Sequence, residues 1–201
     1  MSPSEADRIV SLYERHADTY DRLRGRSLFE KSWLDRFLAL VSPGCGVLDL
    51  GCGMGEPIAR YIIACGYAVT GVDSSASLIG LCTARFPAQT WHVADMRTLA
   101  LGTRFDGLLA WDSFFHLSPD DQRGMFRIFA AHAAPGAALM FTSGPSNGVA
   151  IGHFEGEPLH HASLDPDEYR ALLNASGFAV VSHVADDAHC RGHTVWLAQS
   201  R

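Results

Sequence analysis

Residues 47–55 read VLDLGCGMG, and an acidic residue eighteen positions further on, in AVTGVDSS (68–75), completes the pattern that decides the fold. Val47, Leu48 and Leu50 make a short apolar run of the kind that forms a buried strand. Asp49 stands near the end of that run. Gly51, Gly53 and Gly55 then alternate through a turn that opens into a helix. Glycines so spaced let the backbone turn sharply, and the missing side chains let a ligand lie on the main chain. A second apolar run, Tyr67 to Val72, ends in Asp73 with Ser74 beside it, where a carboxylate can take two ribose hydroxyls. Carboxylate, glycine turn and second carboxylate predict a cleft for an adenosine-bearing cofactor at the carboxyl ends of adjacent parallel strands.

Dinucleotide sites favour G-x-G-x-x-G, with a pyrophosphate at the helix N-terminus. Here the spacing is D-x-G-x-G-x-G, and Glu56 opens the next helix, where it disfavours a pyrophosphate but tolerates a cationic ligand. The segment resembles motif I of the class I S-adenosylmethionine-dependent methyltransferases, and Asp73 is similar to that family's ribose-binding acid. The resemblance continues along nearly the whole chain. TWHVADM (90–96) offers Asp95 for the adenine amino group, with Met96 beside it. FDGLLAWDSFFHL (105–117) supplies a fourth strand, Phe105 to Trp111, and a loop, Asp112 to His116, on the side of the transferred methyl. Ala137 to Ser143 make a fifth strand, and AVVSHVA and HTVWLAQ resemble the antiparallel pair that closes these sheets.

What the resemblance implies is a Rossmann-like α/β three-layer sandwich. Its seven-stranded sheet is mostly parallel with an antiparallel last strand, and N-terminal helices are added to it. S-adenosylmethionine is then the cofactor, with S-adenosylhomocysteine as product. Its implied contacts are Tyr20, Asp49, Gly51, Cys52, Gly53, Gly55, Asp73, Ser74, Asp95, Met96 and Trp111. Two readings from other classes stay open: an NAD(P)-dependent oxidoreductase, and a non-catalytic S-adenosylmethionine-binding protein.

Two hundred and one residues suit one domain, 1–201, with a core of its own. At 47% hydrophobic and 19% charged the composition is that of a globular chain. A net charge of −6 argues against a surface that tracks phosphates, so the expected partner is a small molecule and not nucleic acid. No apolar run approaches a membrane span and nothing resembles a signal peptide, so no membrane association is expected. Five cysteines without C-x-x-C spacing favour reduced thiols and a cytoplasmic location. Cys52 is small, as its place within the glycine turn requires.

Ser2-Pro3-Ser4-Glu5 reads as a capping box. Ile9, Tyr13, His16 or Ala17, and Tyr20 share a helical face; after Gly25, Phe29, Trp33, Phe37 and Val41 mark a second helix ending at Ser42-Pro43-Gly44. Residues 1–42 resemble the lid that covers the cofactor in small-molecule methyltransferases, where a residue placed like Tyr20 reaches the methionine end. Docking these aromatics on the sheet explains them equally well. Further helices are expected over 57–65, 76–86, 119–132 and 169–176. Between Gly144 and Leu164, about twenty residues show no clear periodicity and carry several His and Glu. Such a segment at the ligand-binding edge is expected to be a substrate-covering loop.

Asp112 and His116 are the candidate catalytic residues, since both follow the fourth strand. A methyl already activated on a sulfonium needs mainly alignment and, for a protonated nucleophile, a base. His153, His160 and His161 with Glu155 and Glu157, and His189, Cys190 and His193, lack the spacing that puts metal ligands on one face. No metal is expected. For the loop histidines, binding polar substrate groups is a better use than a metal, and plain surface polarity stays open as the alternative.

Overall fold

Val47, Leu48 and Leu50 sit in the middle of a seven-stranded sheet, fully buried, as an unbroken apolar run requires of a strand covered on both faces. The computed structural model describes residues 5–201, so the capping residues Ser2, Pro3 and Ser4 lie outside the described residues. Strands β1 (Gly46–Leu50), β2 (Ala68–Asp73), β3 (Thr90–Val93), β4 (Phe105–Ala110) and β5 (Ala133–Ser143) pair in parallel. The closing strands are β8 (Phe178–Asp187) and β9 (His193–Ser200). β9 runs antiparallel to both β5 and β8, and the order is β3-β2-β1-β4-β5-β9-β8. This is the mostly parallel sheet with an antiparallel last strand that the sequence predicts. Strand order reverses between β1 and β4, which places a ligand crevice at their carboxyl ends.

Helices α4 (Ile58–Ala64), α5 (Ala76–Arg85), α6 (Pro119–His132) and α7 (Pro166–Ala175) cover the sheet. Three of them begin on side-chain caps. The side chains of Ser75, Ser118 and Asp165 accept the amides of Leu78, Asp121 and Asp167, with Pro at the start of α6 and α7. Alternate residues of the central strands feed two cores. Leu108 and Ala110 join Phe126, Phe129, Phe141 and Trp196, whereas Leu109 and Trp111 join Trp33, Phe37 and Ile62 on the opposite face.

Two segments differ from expectation. The N-terminal segment divides: α1 (Glu5–Arg15) and α2 (Ala17–Leu23) border the crevice, but α3 (Lys31–Leu38) buries Trp33, Leu34 and Phe37 in the second core. Residues 144–164 are not an aperiodic loop. β6 (Gly148–Phe154) and β7 (Glu157–Ser163) form a separate antiparallel ribbon, turned by Glu155 and Gly156 at φ 51° and 79°. Positive φ at both central residues is the geometry of a type I′ hairpin turn. Gly148, Gly152 and Pro158 hide the ribbon in the sequence, because glycine and proline weigh against a strand.

Candidate functional site

At the carboxyl ends of β1, β2, β3 and β4 lies a half-open cleft. Its floor is the glycine turn. Gly51 and Gly53 have φ of 74° and 55°, and a Cβ on Gly51 would run into Ser113. Ser113 in turn donates its hydroxyl to the Leu50 carbonyl at 2.6 Å, tying the loop after β4 to the turn after β1. Asp73 closes the turn from the other side. Its Oδ2 accepts the Gly53 amide and its Oδ1 the Ser75 amide, each at 2.9 Å. Burial pushes the Asp73 carboxyl up, and those amides partly oppose the shift. Asp49 lies beneath the turn; burial, then the nearby charge of Asp73, raise it to about 7.

One end of the cleft is built around Asp95, which caps the short 3₁₀ turn Met96–Thr98 by accepting the Arg97 amide at 2.9 Å. The Arg97 guanidinium also bonds Asp95 at 2.7 Å and reaches Asp121 at 3.2 Å. Burial acts to raise the Asp95 carboxyl, but Arg97 outweighs it and holds the group below the usual range. Arg97 lines the cleft beside Met96, and no motif in the sequence singles it out.

The other end gathers Tyr13, Tyr20, Asp112 and His116. His116 is buried between α1 and β7. Its Nδ1 faces the His160 carbonyl at 2.8 Å and therefore carries the hydrogen, so Nε2 accepts the Tyr13 hydroxyl at 3.0 Å. Burial lowers the His116 imidazole to about 4 and, together with nearby negative groups, raises Tyr13 well above its ordinary range. Burial likewise pushes Tyr20 up to about 12, and its ring lies over Gly53. Asp112 has φ 50°, donates its amide to Thr142 Oγ1 at 2.9 Å, and meets His193 Nε2 at 2.9 Å through Oδ1.

Of the expected residues, Tyr20, Gly51, Gly53, Asp73, Ser74, Asp95, Met96, Asp112 and His116 line the cleft. Asp49, Cys52, Gly55 and Trp111 do not. Cys52 turns its thiol to the Gly53 carbonyl, Gly55 is closed over by the Phe86 ring, and Trp111 packs in the core behind the sheet. Glu56 is also outside the cleft, bonded to Arg60 at 2.6 Å, so its charge does not select the ligand there. His160 is buried and bonds back to the His116 carbonyl at 3.2 Å, which corrects its expected role toward substrate. His161 packs on His116 at 4.9 Å with the rings tilted by 43°, and lines a separate hollow with Phe115 and Ser146. Tethers cross the cleft: Glu14 of α1 accepts both the Ser75 and Ser77 hydroxyls at α5, and Glu157 of β7 bonds Arg15 and His16. Tyr13 shares a helical face with Tyr20, a signal the sequence did carry; the partnership of Asp112 with His193 had none.

Residues 47–136 match the family model of the methyltransferase domain. Over that span, a little under half of the chain, it is similar to S-adenosylmethionine-dependent methyltransferases. Over 133 residues it is 31% identical to a dTDP-4-amino-2,3,4,6-tetradeoxy-D-glucose N,N-dimethyltransferase of Saccharopolyspora spinosa, covering 62% of this chain and 53% of that one. Over 162 residues it is 28% identical to an O-methyltransferase of Pyrenophora dematioidea, covering 75% and 60%. The chain thus spans only about half to three fifths of the length of these curated relatives. Its fold is similar to that of an S-adenosylmethionine-bound amino pentose methyltransferase of calicheamicin biosynthesis from Micromonospora echinaspora. The two share 19% identity and a TM-score of 0.71 over 93% of this chain and 96% of that one. The matched span holds the glycine turn, Asp73, Asp95 and the loop from Asp112 to His116. Tyr13, the β6–β7 ribbon and His193 lie beyond it.

Proposed function

We propose that the chain transfers a methyl group from S-adenosylmethionine to a small-molecule acceptor, leaving S-adenosylhomocysteine. The observation that carries this reading is the Asp73 carboxylate, pinned at the switch point by two backbone amides. Each of its oxygens keeps a further lone pair for a ribose hydroxyl. Asp95 and the Met96 amide take the adenine, and the bare backbone of Gly51 and Gly53, with Ser74, Tyr20 and Asp112, takes the methionine end. The donor supplies a methyl on a sulfonium: a nucleophile's lone pair forms the new bond to carbon while the sulfur–carbon pair returns to sulfur.

The chain's part is alignment and proton uptake. Tyr13 spends its hydrogen on His116 Nε2, so its oxygen is open to the acceptor's proton, which His116 then receives. An imidazole lowered to about 4 makes this a weak relay. It suits a nucleophile whose lone pair is free before its proton leaves, such as an amine, better than an alkyl hydroxyl. α1, α2 and the β6–β7 ribbon act as the cover over donor and acceptor, within a single domain. No helix among the described residues is long and apolar enough to cross a membrane. All five cysteines are unpaired, which supports a reducing, cytoplasmic setting.

Calorimetric titration with S-adenosylhomocysteine and with NAD⁺ tests the donor, followed by release of S-adenosylhomocysteine against panels of amines and alcohols. Binding of S-adenosylhomocysteine only, with turnover on amines, is expected. Binding of NAD⁺ alone makes the chain an oxidoreductase, and donor binding without turnover on any acceptor makes it a binding protein.

A further inference from the structure

Asp112 stands in the left-handed region at φ 50°, an uncommon conformation for a residue with a side chain. Two groups hold it there. Thr142 of β5 accepts its amide, and His193, the first residue of β9, bonds its carboxylate at 2.9 Å. Oδ2 has no hydrogen-bond partner among the described residues. The imidazole is itself held. Nδ1 lies 2.7 Å from the Cys190 carbonyl, the Trp111 ring stacks on it at 5.6 Å and 17°, and Phe29 packs at 5.2 Å.

We propose that His193 is the positioning residue for Asp112, fixing Oδ1 so that Oδ2 is the carboxylate oxygen offered to the cationic methionine end of the donor. This rests on the reading of the cleft as an S-adenosylmethionine site. Both ring nitrogens face acceptors, a carbonyl and a carboxylate, so the contact holds together only while a hydrogen lies between Nε2 and Oδ1. The groups that act on the ring are Asp112 after β4, Glu30 before α3, and the Cys190 carbonyl; Asp187 pairs with His193 across β8 and β9, and Arg24 at the end of α2 acts on Asp112. Burial lowers the His193 imidazole, but the bond to Asp112, its charge, the carbonyl and Glu30 more than compensate and leave it above its ordinary value. As pH rises through that value the ring loses its charge and one of its two hydrogens, so an ion pair with Asp112 becomes at most a single bond from a neutral donor and the hold on the carboxylate weakens.

Two measurements test this. The first needs no donor: NMR titration of His193 in the wild type and in Asp112→Asn. The wild-type value is expected above 6.5 and should fall by about one unit or more in the variant. Equal values in the two proteins would overturn the proposal. The second is S-adenosylhomocysteine affinity from about pH 6 to 10 in wild type, His193→Gln and His193→Ala. Wild-type affinity should drop roughly 10-fold as His193 deprotonates. The Gln amide donates at every pH, so that variant should bind with a flat profile near the wild-type low-pH affinity, and Ala should be roughly 10-fold weaker throughout. A merely structural histidine would lower thermal stability in both variants and leave wild-type affinity flat with pH, which also overturns the proposal. If His193→Ala does not fold, the wild-type and Gln profiles decide. A wild type that binds no S-adenosylhomocysteine at all refutes the donor assignment, and the NMR comparison still tests the pair.

Discussion

Asp73→Ala separates two things one carboxylate does at once. In the free protein the side chain satisfies the Gly53 and Ser75 amides at 2.9 Å, so its removal leaves two half-buried donors to water. Each costs about 1–1.5 kcal/mol when solvent partly replaces the partner, or about 2–3 kcal/mol together. For a chain of this length that is a fall in Tm of roughly 5–10 °C. On the proposed ribose assignment the same carboxylate also takes ribose hydroxyls in the complex, bonds to a charged acceptor that contribute about 1.5–3 kcal/mol each. Water entering the vacated space rehydrates the diol and returns part of that, so donor affinity should fall roughly 10- to 100-fold. Differential scanning fluorimetry reads the first effect and calorimetric titration with S-adenosylhomocysteine the second. A variant that melts lower yet binds within about twofold of wild type would refute the ribose assignment. One that loses affinity with unchanged Tm would refute the account of the glycine turn.

Tyr13→Phe and His116→Gln each interrupt the proposed relay, so kcat should fall roughly 10- to 100-fold while donor affinity in stopped-flow or calorimetric titrations barely moves. Asp95→Asn keeps the shape of the adenine end and should weaken donor binding less than Asp73→Ala in the same titration. Asp49 is raised from 3.8 to about 7, so its burial disfavours the fold increasingly as pH climbs through that window. Asp49→Asn should therefore melt higher than wild type at about pH 8 and no higher at about pH 4. His116 is lowered from 6.5 to about 4, so wild-type stability should decline as pH falls across that interval, and the decline should be shallower in His116→Gln.

The parts of this molecule legible in its sequence are those written in local pattern. The run Val47 to Leu50 and the glycines after it admit one reading, because a strand buried on both faces and a turn with positive φ each restrict composition sharply. Ser118-Pro119 and Asp165-Pro166 likewise place α6 and α7 by capping chemistry alone. The ribbon was opaque because Glu-Gly is a weak signal for a type I′ turn and Pro158 interrupts β7. The expected single lid could not be divided, since the aromatic faces of α1 and α3 look alike until the sheet gives them different partners. The chemistry at the methyl end was the least readable. Tyr13 and His116 are 103 residues apart, Asp112 and His193 are 81 apart, and only the closed sheet brings each pair together.

On the proposed reading the cleft above the glycine turn receives S-adenosylmethionine in one orientation. A crystal structure of the protein with S-adenosylhomocysteine tests it most directly. Adenine should lie against Met96 with its amine on Asp95, both ribose hydroxyls should bond Asp73, and the sulfur should point toward Tyr13 and Asp112. A nucleoside bound with its ribose away from Asp73, or seated outside the cleft, would refute that placement.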